Sequence, residues 1–121
     1  MDVTRFREAA KSEREVRVVV ASDGEERRTP IWIVTSGDSV FVRSYRATAG
    51  EWYQHVTAQP SFPLEISGEV VNVKHERVED GDTLAAVDRA YMSKYPTDAE
   101  TPDMLTPAVA QTTLRLEPLP S

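Results

Sequence analysis

The sequence predicts a mainly β fold of the α+β class. It should form a small closed barrel of about six antiparallel strands with two or three short covering helices. Three observations carry this. Valine- and isoleucine-rich runs are separated by glycine dipeptides of the hairpin type. The run TPIWIVTS is apolar on both faces, which a strand with one wet face is not. Six strands in 121 residues would leave open edges unless the sheet closed.

The elements follow in order. Residues 3–13 form a short helix, with Phe6 and Ala10 on one face and charges elsewhere. EVRVVVAS (15–22) is a valine-rich strand, and Asp23-Gly24 supplies a tight turn. TPIWIVTS (29–36) is a second strand, with Pro30 near its start. Ile31 and Ile33 share one face, Trp32 and Val34 the other. The strand therefore needs cover from a barrel interior on one side and from a helix or a second subunit on the other. After Gly37-Asp38 comes a third strand, SVFVRSYR (39–46), and the three read as a meander. Its end turns polar at Arg43 and emerges at a rim.

Residues 51–58 form a short helix carrying Trp52, Tyr53 and Val56. PLEISGEVVNVKHERV (63–78) is long for one strand, and Gly68 divides it. DTLAAVDRAYMSKYP (82–96) is the clearest helix. Leu84, Val87, Tyr91 and Tyr95 make its apolar stripe, Asp80 or Asp82 caps it and Pro96 stops it. Asp88 and Lys94 fall on its exposed face. TDAETPDMLTPA reads as a loop, and AQTTLRLEPL as a closing strand. Nothing divides the chain, so residues 1–121 are expected to be a single domain.

Composition narrows the function. A net charge of -6 argues against a nucleic-acid partner, which needs a basic face. The absence of cysteine removes thiol catalysis, disulfides and Cys-ligated metals. No apolar run reaches the roughly 18 residues of a membrane span, and the charged first residues do not read as a secretory signal. A cytoplasmic protein without membrane partners is the expectation. His55 and His75 lie in different segments without ligand spacing, so no metal site is expected. No hydrolase elbow, dinucleotide fingerprint or phosphate loop is present. Any catalysis would belong to a bound cofactor.

One stretch gathers binding chemistry: FVRSYRATAGEWYQHV, residues 41–56. Arg43, Ser44, Arg46 and Gly50, followed by a helix start, can converge on a small phosphorylated ligand. Trp52 and Tyr53 can flank an aromatic ring. Strand alternation sends Arg43 and Ser44 to opposite faces, so only one faces the ligand unless the strand bulges. The plainer alternatives are that the arginines pair with this acidic surface, Glu51 being a natural partner for Arg46, and that the aromatics pack on the barrel. Trp32 reads as core or dimer interface rather than ligand stacker. Lys94 is either solvated or reaches a phosphate across a dimer. Arg27 and Arg28 are a second anion site or a solvated mixed-charge hairpin.

The order of these segments resembles a bacterial family of unknown function placed among the split-barrel flavin-binding proteins. The pieces that carry the resemblance are PIWIV, VRS, WY, AY-x-x-KY and TTLRL, within residues 15–119. More distantly the chain is similar to deazaflavin-dependent nitroreductases and pyridoxamine phosphate oxidases. The resemblance implies a split β-barrel that forms a homodimer and binds FMN or F420 at the subunit interface. It places phosphate contacts at Arg43 and Ser44 and in the turn of Arg46 and Gly50. Relatives carry a lysine at the start of the next helix, where this chain has Glu51 and Trp52. The implied function is a flavin- or deazaflavin-dependent oxidoreductase of unknown substrate. The alternative is a non-catalytic binding or interaction module that has lost its cofactor.

Overall fold

A computed structural model describes residues 1–120. Among them are seven strands, four α-helices and two short 3-10 turns. Helix α1 (Val3–Ser12) is capped by Asp2, whose carboxylate accepts the Arg5 N–H. Strands β1 (Glu15–Ser22) and β2 (Glu25–Trp32) form a hairpin on Asp23-Gly24. Both turn residues have positive φ, 52° and 79°, the geometry that matches the twist of the flanking strands. Strands β3 (Val34–Ser36) and β4 (Ser39–Val42) form a second hairpin. Strands β5 (Ser61–Ile66) and β6 (Glu69–Arg77) divide at Ser67-Gly68, and β7 (Leu114–Pro118) closes the sheet. The helices are α2 (Glu51–Thr57), α3 (Gly81–Lys94) and α4 (Pro107–Ala110).

The sheet order is β2-β1-β5-β6-β7-β4-β3, antiparallel throughout. β2 and β3 are opposite edges, yet only Ile33 separates them in sequence. The sheet therefore curls until its two edges meet at that residue, which is barrel closure. This corrects the meander expectation. The second strand begins earlier, at Glu25, and breaks at Ile33, so that its first part pairs only with β1 and its last part only with β4. Pro30 thus lies well inside an edge strand, where its missing N–H breaks no ladder. Counted as one bent strand, β2 and β3 return the expected six.

The bend leaves the backbone of Ile33 outside both ladders, although the residue is fully buried. A buried unpaired peptide group is costly. Two consecutive side chains at the end of α3 meet the need. Lys94 Nζ donates to the Ile33 carbonyl at 2.7 Å, and also to those of Ala10 and Glu13 at the end of α1. The Tyr95 hydroxyl accepts the Ile33 N–H at 3.3 Å and donates to the Arg14 carbonyl at 2.7 Å. Lys94 is therefore half-buried rather than on the solvated face. Burial pulls its ammonium down to about 8 and pushes the Tyr95 hydroxyl up to about 12.

Two apolar clusters result. The barrel interior holds Val16, Val18, Ile31, Ile33, Val40, Val42, Leu64, Ile66, Leu114 and Leu116, with Phe6 and Ala10 of α1 closing one end. The outer cluster holds Val34, Phe41, Val87, Tyr91, Tyr95 and Met104 beneath α3. Both faces of the bent strand are thus covered, as its pattern requires. The cover for Val34 is α3 and not a second subunit, and Trp32 stacks on Tyr95 with ring centroids 3.9 Å apart. Leu84 is only partly buried, at the margin of this cluster. The segment read as a loop, residues 97–108, contains a 3-10 turn (Pro102–Leu105) and the start of α4. Each opens on a proline, which a helix accepts at its first position.

Candidate functional site

Where β4 leaves the barrel, the chain turns through residues 43–50 and enters α2. This turn, the end of β2, the start of α2 and the segment after α3 enclose a cavity of about 600 Å³. That size lies in the usual range for small-molecule sites, roughly 300–1,000 Å³. Its walls include Ile31, Trp32, Trp52 and Met104 on the apolar side, and Ser44, Tyr45, Arg46 and Gly50 along the turn. Of the six residues expected to hold a ligand, Arg43, Ser44, Arg46, Gly50 and Trp52 border this cavity. Tyr53 does not. It packs partly buried against the barrel interior, edge-on to Trp52 with centroids 6.0 Å apart.

Arg43 and Ser44 lie just past the end of β4, and their side chains make different contacts. The Arg43 side chain is fully buried and turned towards α3. Its Nε donates to Thr113 Oγ1 at 2.8 Å, and Nη1 donates to Asp88 Oδ1 at 2.6 Å and to the Met104 carbonyl at 2.9 Å. Nη2 donates to the Leu84 carbonyl at 3.2 Å, and the guanidinium lies over the Tyr91 ring. Four of its five donors are committed within the fold and its charge is met by Asp88. Arg43 therefore ties β4 to α3 and to the 3-10 turn, with one of its donors uncommitted. Asp88, expected in solvent, is the partly buried partner of this tie.

Ser44 faces the other way. Its N–H donates to Thr112 Oγ1 at 2.9 Å and its carbonyl accepts the Ala47 N–H at 2.9 Å. Its hydroxyl is buried without a partner. A Cβ placed on Gly50 would lie 2.3 Å from that hydroxyl oxygen. A side chain at position 50 would therefore crowd Ser44, while the backbone angles of Gly50 are ordinary. Between them Ala47 takes the left-handed conformation, φ 54°, unusual for a residue with a side chain. This holds Arg46 outward, exposed and, among the described residues, without an ion pair. The expected Arg46–Glu51 pair does not form. Glu51 pairs instead with Arg27 at 3.4 Å, across two exposed side chains. Tyr45, half-exposed, donates to Asp103 at 3.0 Å, and that bond pushes its hydroxyl pKa up.

Sequence reasoning missed the opposite wall. Arg14 pairs with Asp98 there, and its guanidinium lies over both the Trp32 and Tyr95 rings, at 5.9 and 5.1 Å. Glu15 and Glu100 also border the cavity, and neither makes an ion pair among the described residues. Arg14, Trp32 and Asp98 come from three separate segments, so no local spacing marks them. Arg28 is bound to Glu26 and Glu65, in keeping with a solvated mixed-charge hairpin. His55 borders a smaller neighbouring cavity, and His75 Nε2 lies 2.7 Å from the Gln59 carbonyl. Among the described residues no helix is long and apolar enough to cross a membrane.

The family described as an uncharacterized protein conserved in bacteria (DUF2255) matches residues 6–116. No curated protein matches the chain. Several solved structures share its fold. An F420-H2 dependent reductase superposes with a TM-score of 0.60 at 16% identity, over 87% of this chain and 95% of its own. An FAD-binding protein from Mesorhizobium loti gives 0.54 at 19% identity, over 100% and 91%. A structure described as a domain-swapped dimer gives 0.54 at 16%, over 88% and 82%. The architecture is a split-barrel-like curled antiparallel sheet, a fold shared with these structures.

Proposed function

This chain belongs to the bacterial family DUF2255, and on that premise we propose that its cavity binds a flavin-type cofactor, FMN or F420. One observation carries the reading. A cavity of about 600 Å³ opens at the turn of residues 43–50, walled by Ile31, Trp32 and Trp52 and bordered by the exposed Arg46. An apolar wall with a few polar groups at its edge is the usual make-up of a small-molecule site. The fit is in size and in the apolar wall of Trp32, Ile31 and Trp52. In this reading Ser44, Arg46 and Gly50 contact the ligand, Trp52 borders its ring with Tyr53 behind it, and Arg43 holds the turn in place. A bound flavin or deazaflavin would supply electron or hydride transfer, and an oxidoreductase is the matching activity. The protein's part is to orient the ring and exclude water.

A homodimer in the cytoplasm completes the proposal. Its support is the fold shared with the domain-swapped dimer. A second reading, a binding module without cofactor, is favoured by the commitment of Arg43 and by Glu51 in place of the relatives' lysine. Titration of purified protein with FMN and F420, followed by cofactor and tryptophan fluorescence, decides between them. Saturable binding that weakens when Trp32 or Trp52 is replaced by alanine supports the cofactor reading. A colourless protein that binds neither compound up to millimolar concentration supports the module.

A further inference from the structure

The charges around the cavity lead to a more specific conclusion about what part of the cofactor is recognised. Arg43 is neutralised by Asp88, Arg14 by Asp98, and Glu51 by Arg27. Left over are one cation, Arg46, and two carboxylates, Glu15 and Glu100. A phosphate monoester brings roughly two more negative charges. It would meet a lining whose unpaired charge is already negative. Carboxylates accept hydrogen bonds and cannot donate them, so they suit hydroxyl and imide N–H groups. The apolar wall of Ile31, Trp32 and Trp52 suits a ring, and the carboxylates suit a hydroxylated tail.

We infer that this cavity recognises the ring and polyol end of its cofactor and gains nothing from the phosphate, so that the phosphate-free flavin is its better ligand. The inference rests on the cofactor reading above and narrows it. It assigns Glu15 and Glu100 as residues that disfavour phosphorylated tails; they and Arg46 are all exposed and screened alike, and the two carboxylates outnumber the one cation.

Each cofactor is titrated beside its phosphate-free parent: FMN beside riboflavin, and F420 beside the corresponding deazaflavin alcohol. The parent should bind at least as tightly as the phosphorylated form. Added salt should leave FMN affinity unchanged or raise it, because screening relieves a repulsion. Glu15→Gln combined with Glu100→Gln should tighten FMN several-fold relative to riboflavin. Both residues are exposed, so folding should be unaffected. A preference for FMN or F420 over its parent of about tenfold or more, weakening with salt, overturns the inference and leaves the cofactor reading intact. An FMN-to-riboflavin ratio unmoved by the double substitution also overturns it. Failure of all four compounds to bind removes the cofactor reading itself, and the inference with it.

Discussion

The barrel interior and the layer beneath α3 sit on opposite faces of the same strands, yet they are built from different chemistry. No buried member of the interior cluster titrates. The outer layer packs Tyr91 and Tyr95 with the buried Arg43 and the half-buried Lys94. The interior needs only volume and closure. The outer layer must also meet hydrogen-bonding groups that the barrel cannot satisfy: the Ile33 corner and the carbonyl of Met104. One side of the sheet supplies cohesion, and the other fixes where the turn of residues 43–50 sits.

A large effect should come from removing the central tie of the outer layer. Arg43→Ala leaves the partly buried Asp88 and the Met104 carbonyl without their partner, and should cost about 3 kcal/mol in urea melts. A loss near that of a surface change would show that the tie is not made. Leu64→Ala, in the interior, should cost about 2–5 kcal/mol through lost burial and a cavity. This cost should be the same at pH 7 and pH 11, because nothing around it titrates.

Tyr95→Phe should cost about 1–3 kcal/mol, since it leaves the Ile33 N–H buried without its acceptor. It should also change the alkaline limb. The Tyr95 hydroxyl is raised from about 10 to about 12 by burial, and Tyr91 is raised further by the same cause. A raised folded value contributes stability that is present below pH 10 and lost as pH climbs through 12. Lys94 has the opposite sign. Its folded value is lowered to about 8, so the unfolded chain holds the extra proton from there to 10.5 and stability gains over that window. Wild type should therefore gain from Lys94 between pH 8 and 10 and lose from the tyrosines above. Tyr95→Phe should soften the loss, and an unchanged limb would remove the tyrosine from that account. The smallest effect belongs to Arg46→Ala, within about 0.5 kcal/mol, as expected of an exposed residue with no partner. Side by side, Arg43 and Arg46 separate the arginine that builds the turn from the one the turn presents.

The turns were legible because each is written locally. Asp23-Gly24, Gly37-Asp38 and Ser67-Gly68 punctuate the strands where their composition says they should. The break at Ile33 was not, because the apolar run passes through it unbroken and the groups that permit it come from α3. The motif AY-x-x-KY was visible as a resemblance, but its purpose depends on where the barrel closes. One wall of the candidate site could be read, since Ser44, Arg46, Gly50 and Trp52 are near neighbours in sequence. The wall of Arg14, Trp32 and Asp98 is assembled by the fold alone. Strand alternation predicts that only one of Arg43 and Ser44 faces a ligand unless the strand bulges, and the Arg43 guanidinium is turned towards α3.

The Ile33 corner also has a consequence for the order of events during synthesis. Its carbonyl and N–H find their partners 61 and 62 residues later in the chain. Until Lys94 and Tyr95 have left the ribosome, the bend has no internal partners, and β2 and β3 have no reason to separate. A nascent chain ending before residue 94 is then an open hairpin set with unsatisfied edges, exposed to pairing with other chains. Closure also waits for β7, the strand that joins β4 to β6, so docking of α3 and closure of the barrel become one long-range, late event, and a pulse of protease during translation should cut residues 25–36 readily until β7 emerges and poorly thereafter.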